Sequence, residues 1–258
     1  MAVDHQRFEA AREAALSRTR GEGGVGTLSE KTLHATLKAY YEPDVESREV
    51  SIGGFVADIV GENGVIEIQT RGFDRLRKKL AAFLEVTRVT VVYPVPKIRW
   101  LRWVDPETGE VSERKKTTAK GSAFDVFPEL YKIKSLIAHP NFTLKIVLLE
   151  LTDYRYLDGY GAKKKIRSTK GERVPDVLLE ELVFEKPADY AGLLPAALEE
   201  PFTAKELAKA AKRPLGYGQP AVNVLTHLGV LERAGTQNRA YLYRRADAEY
   251  DTEFEHKI

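Results

Sequence analysis

Two hydrophobic rhythms run along the chain, and the changes between them mark out its elements. In Val50 to Arg71, VSIGGFVADIVGENGVIEIQTR, two apolar runs flank the turn sequence Gly61-Glu62-Asn63-Gly64. Such runs around a glycine-bearing turn predict paired strands. Val56, Asp58 and Val60 share one parity in the first strand. In the second, Glu67 and Gln69 share one parity and Ile66 and Ile68 the other, so the polar side chains gather on one face. Upstream, Leu33, Leu37 and Tyr40 recur at helical spacing behind the capping-box sequence Thr27-Leu28-Ser29-Glu30. Downstream, Phe73, Leu76, Leu80, Phe83 and Leu84 form the apolar stripe of a helix whose other face carries Asp74, Arg75, Arg77, Lys78 and Lys79. The β-branched run Arg88 to Tyr93, bounded by Pro94 and Pro96, predicts a buried strand.

The flanking stretches extend this α/β pattern. Asp4 to Ser17 predicts a helix capped by Asp4. The GEGGVG that follows reads as a linker, since no strand precedes it and no Gly-Lys-Ser/Thr closes a phosphate loop. Lys97 to Lys120 predicts a hairpin around DPETGE, interleaving Trp100 and Trp103 with Arg114, Lys115, Lys116 and Lys120. Such a ribbon can lie against phosphates or pack its tryptophans on a core. Phe124 to Ala138 predicts a helix, and Phe142 to Leu151 a strong strand. Gly159 to Arg173 is the most basic segment, with Lys163, Lys164, Lys165, Arg167, Lys170 and Arg173 against Glu172. A basic loop is expected there, either touching nucleic acid or simply solvated. From Tyr190 the rhythm becomes that of a small helical unit. It comprises a helix capped by Thr203 and Glu206, the turn PLGYGQ, a second helix from Pro220 to Gly229, and the strands VLER and AYLYRR around AGTQNR.

Composition narrows the classes. The 258 residues suit one large or two ordinary domains, expected at 1–26 for the helix and linker, 27–185 for the central domain and 186–258 for the helical unit. The 40 basic and 38 acidic residues leave a net charge of +2, so only local clusters can speak for nucleic acid. The absence of cysteine excludes disulfides and Cys-type zinc sites and fits a reducing cytoplasm. No apolar run approaches a membrane span, and the first residues lack a secretory layout.

The chemistry centres on Asp58, inside the otherwise apolar FVADIV, opposite Glu67 and Gln69. Carboxylates in apolar strands are stabilised only by a partner or a cation, and Mg²⁺ (or Mn²⁺) is a hard ion suited to one or two carboxylates plus water and phosphate. The plainer alternative makes Asp58 a polar residue near a turn and Glu67 and Gln69 the wet side of a half-solvated pair. Glu30 has an equal alternative as the reciprocal partner of the Thr27 cap.

Asp58, the Glu67-Ile68-Gln69 triplet and the upstream Glu30 resemble the PD-(D/E)xK nuclease superfamily over roughly Thr27 to Val95, with Gln69 where that family most often has Lys. The resemblance implies a restriction endonuclease-like mixed sheet flanked by helices. It also implies a Mg²⁺-dependent endonuclease in which Asp58 and Glu67 hold metal, Gln69 orients water or a phosphate oxygen, and Glu30 assists. Phe202 to Arg245 resembles a winged helix-turn-helix domain, with Gln219, Asn223 and Thr226 or His227 on its recognition face and Gln237, Asn238 and Arg239 at the wing. The expected partner is DNA, with Arg71, Arg75, Arg114 to Lys116, Lys163 to Lys165, Arg167, Gln219, Asn223 and Arg239 as contacts. No membrane is expected, and a homodimer is left open. The alternative is a catalytically inactive DNA-binding protein that keeps the nuclease fold.

Overall fold

The computed structural model describes residues 3–21, 31–160 and 166–246. The expected linker, the Thr27 cap, Glu30 and Lys163 to Lys165 lie outside them. The described chain is a mixed α/β structure that divides into two compact units, each discontinuous in sequence. The first comprises Met1–Arg71, Lys78–Ala123 and Thr143–Val183, and the second Gly72–Arg77, Phe124–Phe142 and Phe184–Ile258.

In the first unit, helix α1 (His5–Gly21) begins where Asp4 Oδ1 accepts the Arg7 backbone N–H at 2.9 Å, as the sequence predicts. Helix α2 (Lys31–Tyr41) crosses it, with the Phe8 and Tyr40 rings edge to face at 5.6 Å. Together they bury Leu33 and Leu37 against Ile59, Ile68, Val92, Val147, Leu149, Leu151 and Leu178 of the sheet. Each such aliphatic side chain contributes about 1.5–3 kcal/mol on burial.

The sheet runs in the order β1 (Arg48–Ile52), β2 (Phe55–Gly61), β3 (Gly64–Ile68), β4 (Val89–Val104), β6 (Phe142–Tyr160), β7 (Ile166–Phe184), with the short β5 (Lys115–Lys116) beside β4. The β1/β2 and β2/β3 pairs are antiparallel and β3/β4 parallel. The change of direction is made by a 3₁₀ turn at Phe73–Leu76 and helix α3 (Arg77–Leu84), which bury all five residues of the predicted stripe. The β2/β3 turn lies close against the start of β4. Gly64 has φ 106°, and a Cβ there would meet the Arg88 carbonyl oxygen at 2.3 Å, so only glycine fits.

The sheet departs from sequence expectation in two places. Val89 to Val104 is one strand rather than two separated by prolines. Pairing with β3 ends at Val92, whose carbonyl accepts the Gln69 N–H at 2.9 Å, so Pro94 and Pro96 fall beyond the last bond on that side and remove none. The described residues of the basic segment are likewise strand rather than loop, since β6 extends to Tyr160 and β7 begins at Ile166, with Arg167 in it. Alternation lets a strand carry charges on one face while Val174 and Leu178 are buried on the other.

In the second unit, the helix expected over Phe124 to Ala138 is three short turns: 3₁₀ at Ala123–Val126, α4 (Phe127–Leu130) and 3₁₀ at Tyr131–Ile133. Pro128 suits a first turn but cannot continue the one before it. Helix α5 (Ala204–Ala210) has the predicted capping box: Glu206 N–H donates to Thr203 Oγ1 at 3.3 Å, and Thr203 N–H to Glu206 Oε2 at 2.7 Å. Helix α6 (Leu215–His227) starts earlier than Pro220, which lies inside it. Gly218 permits the close crossing of α5, since a Cβ there would come within 2.1 Å of the Ala204 carbonyl oxygen. Strands β8 (Leu231–Gln237) and β9 (Ala240–Arg245) pair antiparallel across the tight turn Asn238-Arg239, both residues at positive φ. A bridge between Phe202 and Tyr243 adds a third short stretch.

Candidate active site

Strands β2 and β3 fork at their middle, and the fork holds the two carboxylates. Regular pairing reaches Ile59 opposite Ile66. One step further, Asp58 and Glu67 face each other, and side chains replace the ladder. Ile68 N–H donates to Asp58 Oδ2 at 2.8 Å, and Asp58 N–H lies 3.4 Å from Glu67 Oε1.

Each acid meets a lysine from a different helix. Lys38 of α2 approaches Asp58 Oδ1 at 3.0 Å and Glu49 Oε1 at 2.9 Å, and Lys79 of α3 donates to Glu67 Oε2 at 2.6 Å. Glu67 is 2% exposed. Burial pushes its carboxyl up to about 7; Lys79 opposes that shift and the neighbouring Asp58 charge adds to it. Burial works to lower the Lys38 ammonium pKa, but Asp58 and Glu49 outweigh it and leave it raised. Gln69 turns elsewhere, its Nε2 donating to the Arg71 carbonyl at 2.6 Å and so closing the chain as it leaves β3.

The donor set suits a hard divalent cation, with two carboxylates side by side whose mutual repulsion a cation relieves. Among the described residues no group of three or more His, Cys, Asp or Glu gathers as a metal site. A cation held here would have these two carboxylates as its protein ligands.

Beyond Gln69 the chain enters a cleft of about 270 Å³ on the same unit, lined by Arg71, Arg99, Asp153, Arg155, Lys170 and Arg173 among others. Asp153, buried, binds both Arg99 Nε and Arg173 Nε, the latter at 3.3 Å.

The other expected DNA-binding residues divide. Arg114 is held by Glu150 at 2.8 Å and Asp176 at 2.7 Å and stacks over Trp100 at 4.3 Å. Trp100 donates to Glu150 as well, at 2.7 Å, so this part of the ribbon is a packed polar cluster. Lys115 and Lys116 are exposed on β5. Arg75 is exposed and falls in the second unit. There, Gln219 and Arg239 line one groove of about 780 Å³ with Gln237 and Asn238. Asn223 does not join it and instead accepts from Lys134 Nζ at 2.9 Å.

Sequence reasoning missed Lys38 as a partner of Asp58, and it missed Arg99, Asp153 and Arg155. The shared parity of Asp153 and Arg155 in LTDYRY was the available signal. Lys79 was visible only as one of several charges on a helix face. No helix among the described residues is long and apolar enough to cross a membrane.

A family model described as "Domain of unknown function (DUF8091)" matches residues 31–185, which include the fork and the cleft. A Treponema pallidum (strain Nichols) protein named "Uncharacterized protein" is 29% identical over 229 residues, covering 86% of this chain and 87% of that protein. No solved structure matches the chain.

Proposed function

The chain belongs to the DUF8091 family, and we propose that its family domain is a Mg²⁺- or Mn²⁺-dependent endonuclease of the PD-(D/E)xK kind, acting on DNA. The observation that carries the reading is the Asp58–Glu67 pair at the β2/β3 fork. The order of elements supports it: three antiparallel strands, a helix, then a strand parallel to the third. In this reading Asp58 and Glu67 hold the cation. When bound, such an ion supplies positive charge to the phosphodiester oxygens and acidifies water.

The residues of the chain supply the rest. The ammonium that position 69 lacks comes from Lys79 and Lys38, which already sit on the two carboxylates and balance their charge before the cation arrives. Gln69 holds Arg71 in place through the carbonyl bond, and Arg71 stands at the edge of the cationic cleft, where it can meet a phosphate of the bound strand. The second unit supports a winged-helix module: two helices, a hairpin with a tight turn, and a groove carrying Gln219 and Arg239. Cytoplasmic DNA is its expected target.

The test is cleavage of plasmid and branched oligonucleotides with Mg²⁺ or Mn²⁺, wild type beside Asp58→Asn. The reading expects metal-dependent cutting that Asp58→Asn removes, with DNA affinity kept within about tenfold because phosphate contacts elsewhere hold the duplex. The lysine pairing of both acids favours a second reading, a DNA-binding protein in which ammonium groups permanently replace the metal. DNA binding by wild type and Gln69→Lys without cutting on any substrate would give that reading the lead.

A further inference from the structure

The cleft beside Gln69 has more positive charge than its own structure uses. Four neighbouring strands contribute to it: Thr70 and Arg71 at the end of β3, Arg99 on β4, Asp153 and Arg155 on β6, Lys170 and Arg173 on β7. Among the described lining residues Asp153 is the one carboxylate, and it fixes Arg99 and Arg173 in position. Arg155 Nη1 reaches Ser168 Oγ at 3.4 Å, a neutral partner. Among the described residues, Arg71, Arg155 and Lys170 have no carboxylate within ion-pair distance. Gly171 lets the wall come in close, since a Cβ there would stand 2.9 Å from the Tyr156 ring and 3.0 Å from the Tyr154 carbonyl oxygen.

We propose that this cleft is a binding site for a terminal phosphate, the monoester at the end of a nucleic-acid strand. Three cations without a counter-charge exceed the single charge of an internal phosphodiester and match a dianion. Guanidinium groups offer forked N–H pairs suited to its several oxygens, and Asp153 holds two of them ready. The small volume accommodates a phosphate and its sugar rather than a run of nucleotides. The nucleic-acid occupant rests on the nuclease reading; the phosphate chemistry of the cleft does not.

Fluorescence polarisation of the full chain, without divalent metal, tests this on one labelled duplex carrying a 5′-phosphate, a 3′-phosphate or hydroxyl ends, with inorganic phosphate as competitor. A phosphorylated end should bind about tenfold tighter than the hydroxyl duplex, an advantage that inorganic phosphate abolishes. Arg155→Gln with Lys170→Gln, two cleft residues, should erase the difference and leave affinity for the hydroxyl duplex within about twofold. A charge-conserving Arg155→Lys should retain most of it. Equal binding of all ends, or an advantage that persists in the double variant, overturns the proposal. Because no cutting is measured, an inactive fork leaves this result intact, and a failed end preference leaves the cleavage assay intact.

Discussion

The fork and the cleft lie on one sheet and are both built from acids facing bases, yet one is balanced in charge and the other is not. At the fork two carboxylates are each met by a lysine, and one of them, Glu67, sits where burial raises its pKa to about 7. In the cleft one buried carboxylate is shared by two arginines while further cations line the wall. Lysine is a compact charge on a flexible stem and can yield its place to another cation, whereas paired guanidiniums form a fixed donor array. Counting acids against bases, and noting which base, is thus what separates the cation proposed for the fork from the anion proposed for the cleft.

The largest expected effect comes from breaking the buried pair. Lys79→Ala leaves Glu67 without its partner and should cost about 3–5 kcal/mol at pH 8. At pH 5 the cost should shrink, because Glu67 can take a proton. Urea denaturation at both pH values measures this, and an equal loss at each would show that Glu67 does not respond to its surroundings as described.

Next comes the wild-type pH profile. A carboxyl raised from 4.5 to about 7 keeps its proton in the folded state after the unfolded chain has lost it. Its contribution is fully present below about 4.5 and is lost as pH rises to about 7, amounting to up to about 3 kcal/mol. Glu67→Gln should flatten that part of the profile. Because a bound cation requires the ionised form, Mg²⁺ affinity should rise up to tenfold per pH unit below about 7 and level off above it. Calorimetry across that range would reveal a flat profile if the fork takes no metal.

A smaller effect is expected in the cleft. Asp153→Asn leaves Arg99 and Arg173 facing one another and should cost about 1–3 kcal/mol. Inorganic phosphate should restore part of it, raising the Tm of the variant more than that of wild type. The smallest effect concerns Lys163, Lys164 and Lys165. Replacing all three with Ala should lower the salt slope of duplex binding by about 0.9 for every phosphate that they neutralise, and an unchanged slope would assign them to solvent.

Much of this was legible in the sequence because local rules applied without competition. The Asp4 cap, the Thr203–Glu206 box, the α3 stripe and the opposition of Asp58 and Glu67 all follow from spacing. What was not legible depended on distant chain. Pro94 and Pro96 look like strand breaks until it is known that β3 ends beside Val92. Arg114 looks available until Glu150 and Asp176 arrive from other strands. The cleft draws on positions 70 to 173, and its residues have no common spacing that a sequence could display. Pro220, placed by rule at a helix start, lies inside α6, whose position is set by Gly218 packing on α5.

Strand β7 ends the order of the large sheet, and its 19 residues leave a long row of backbone groups on that flank. Such a flank is a template on which another copy of the chain can add strand to strand. Pro175 has no N–H to offer such a strand, and the exposed charges of Lys170 and Glu180 make a matching strand hard to seat. A substitution such as Pro175→Val, harmless to the interior by size, would therefore show itself as turbidity and loss of yield at high concentration long before it altered any measure of folding.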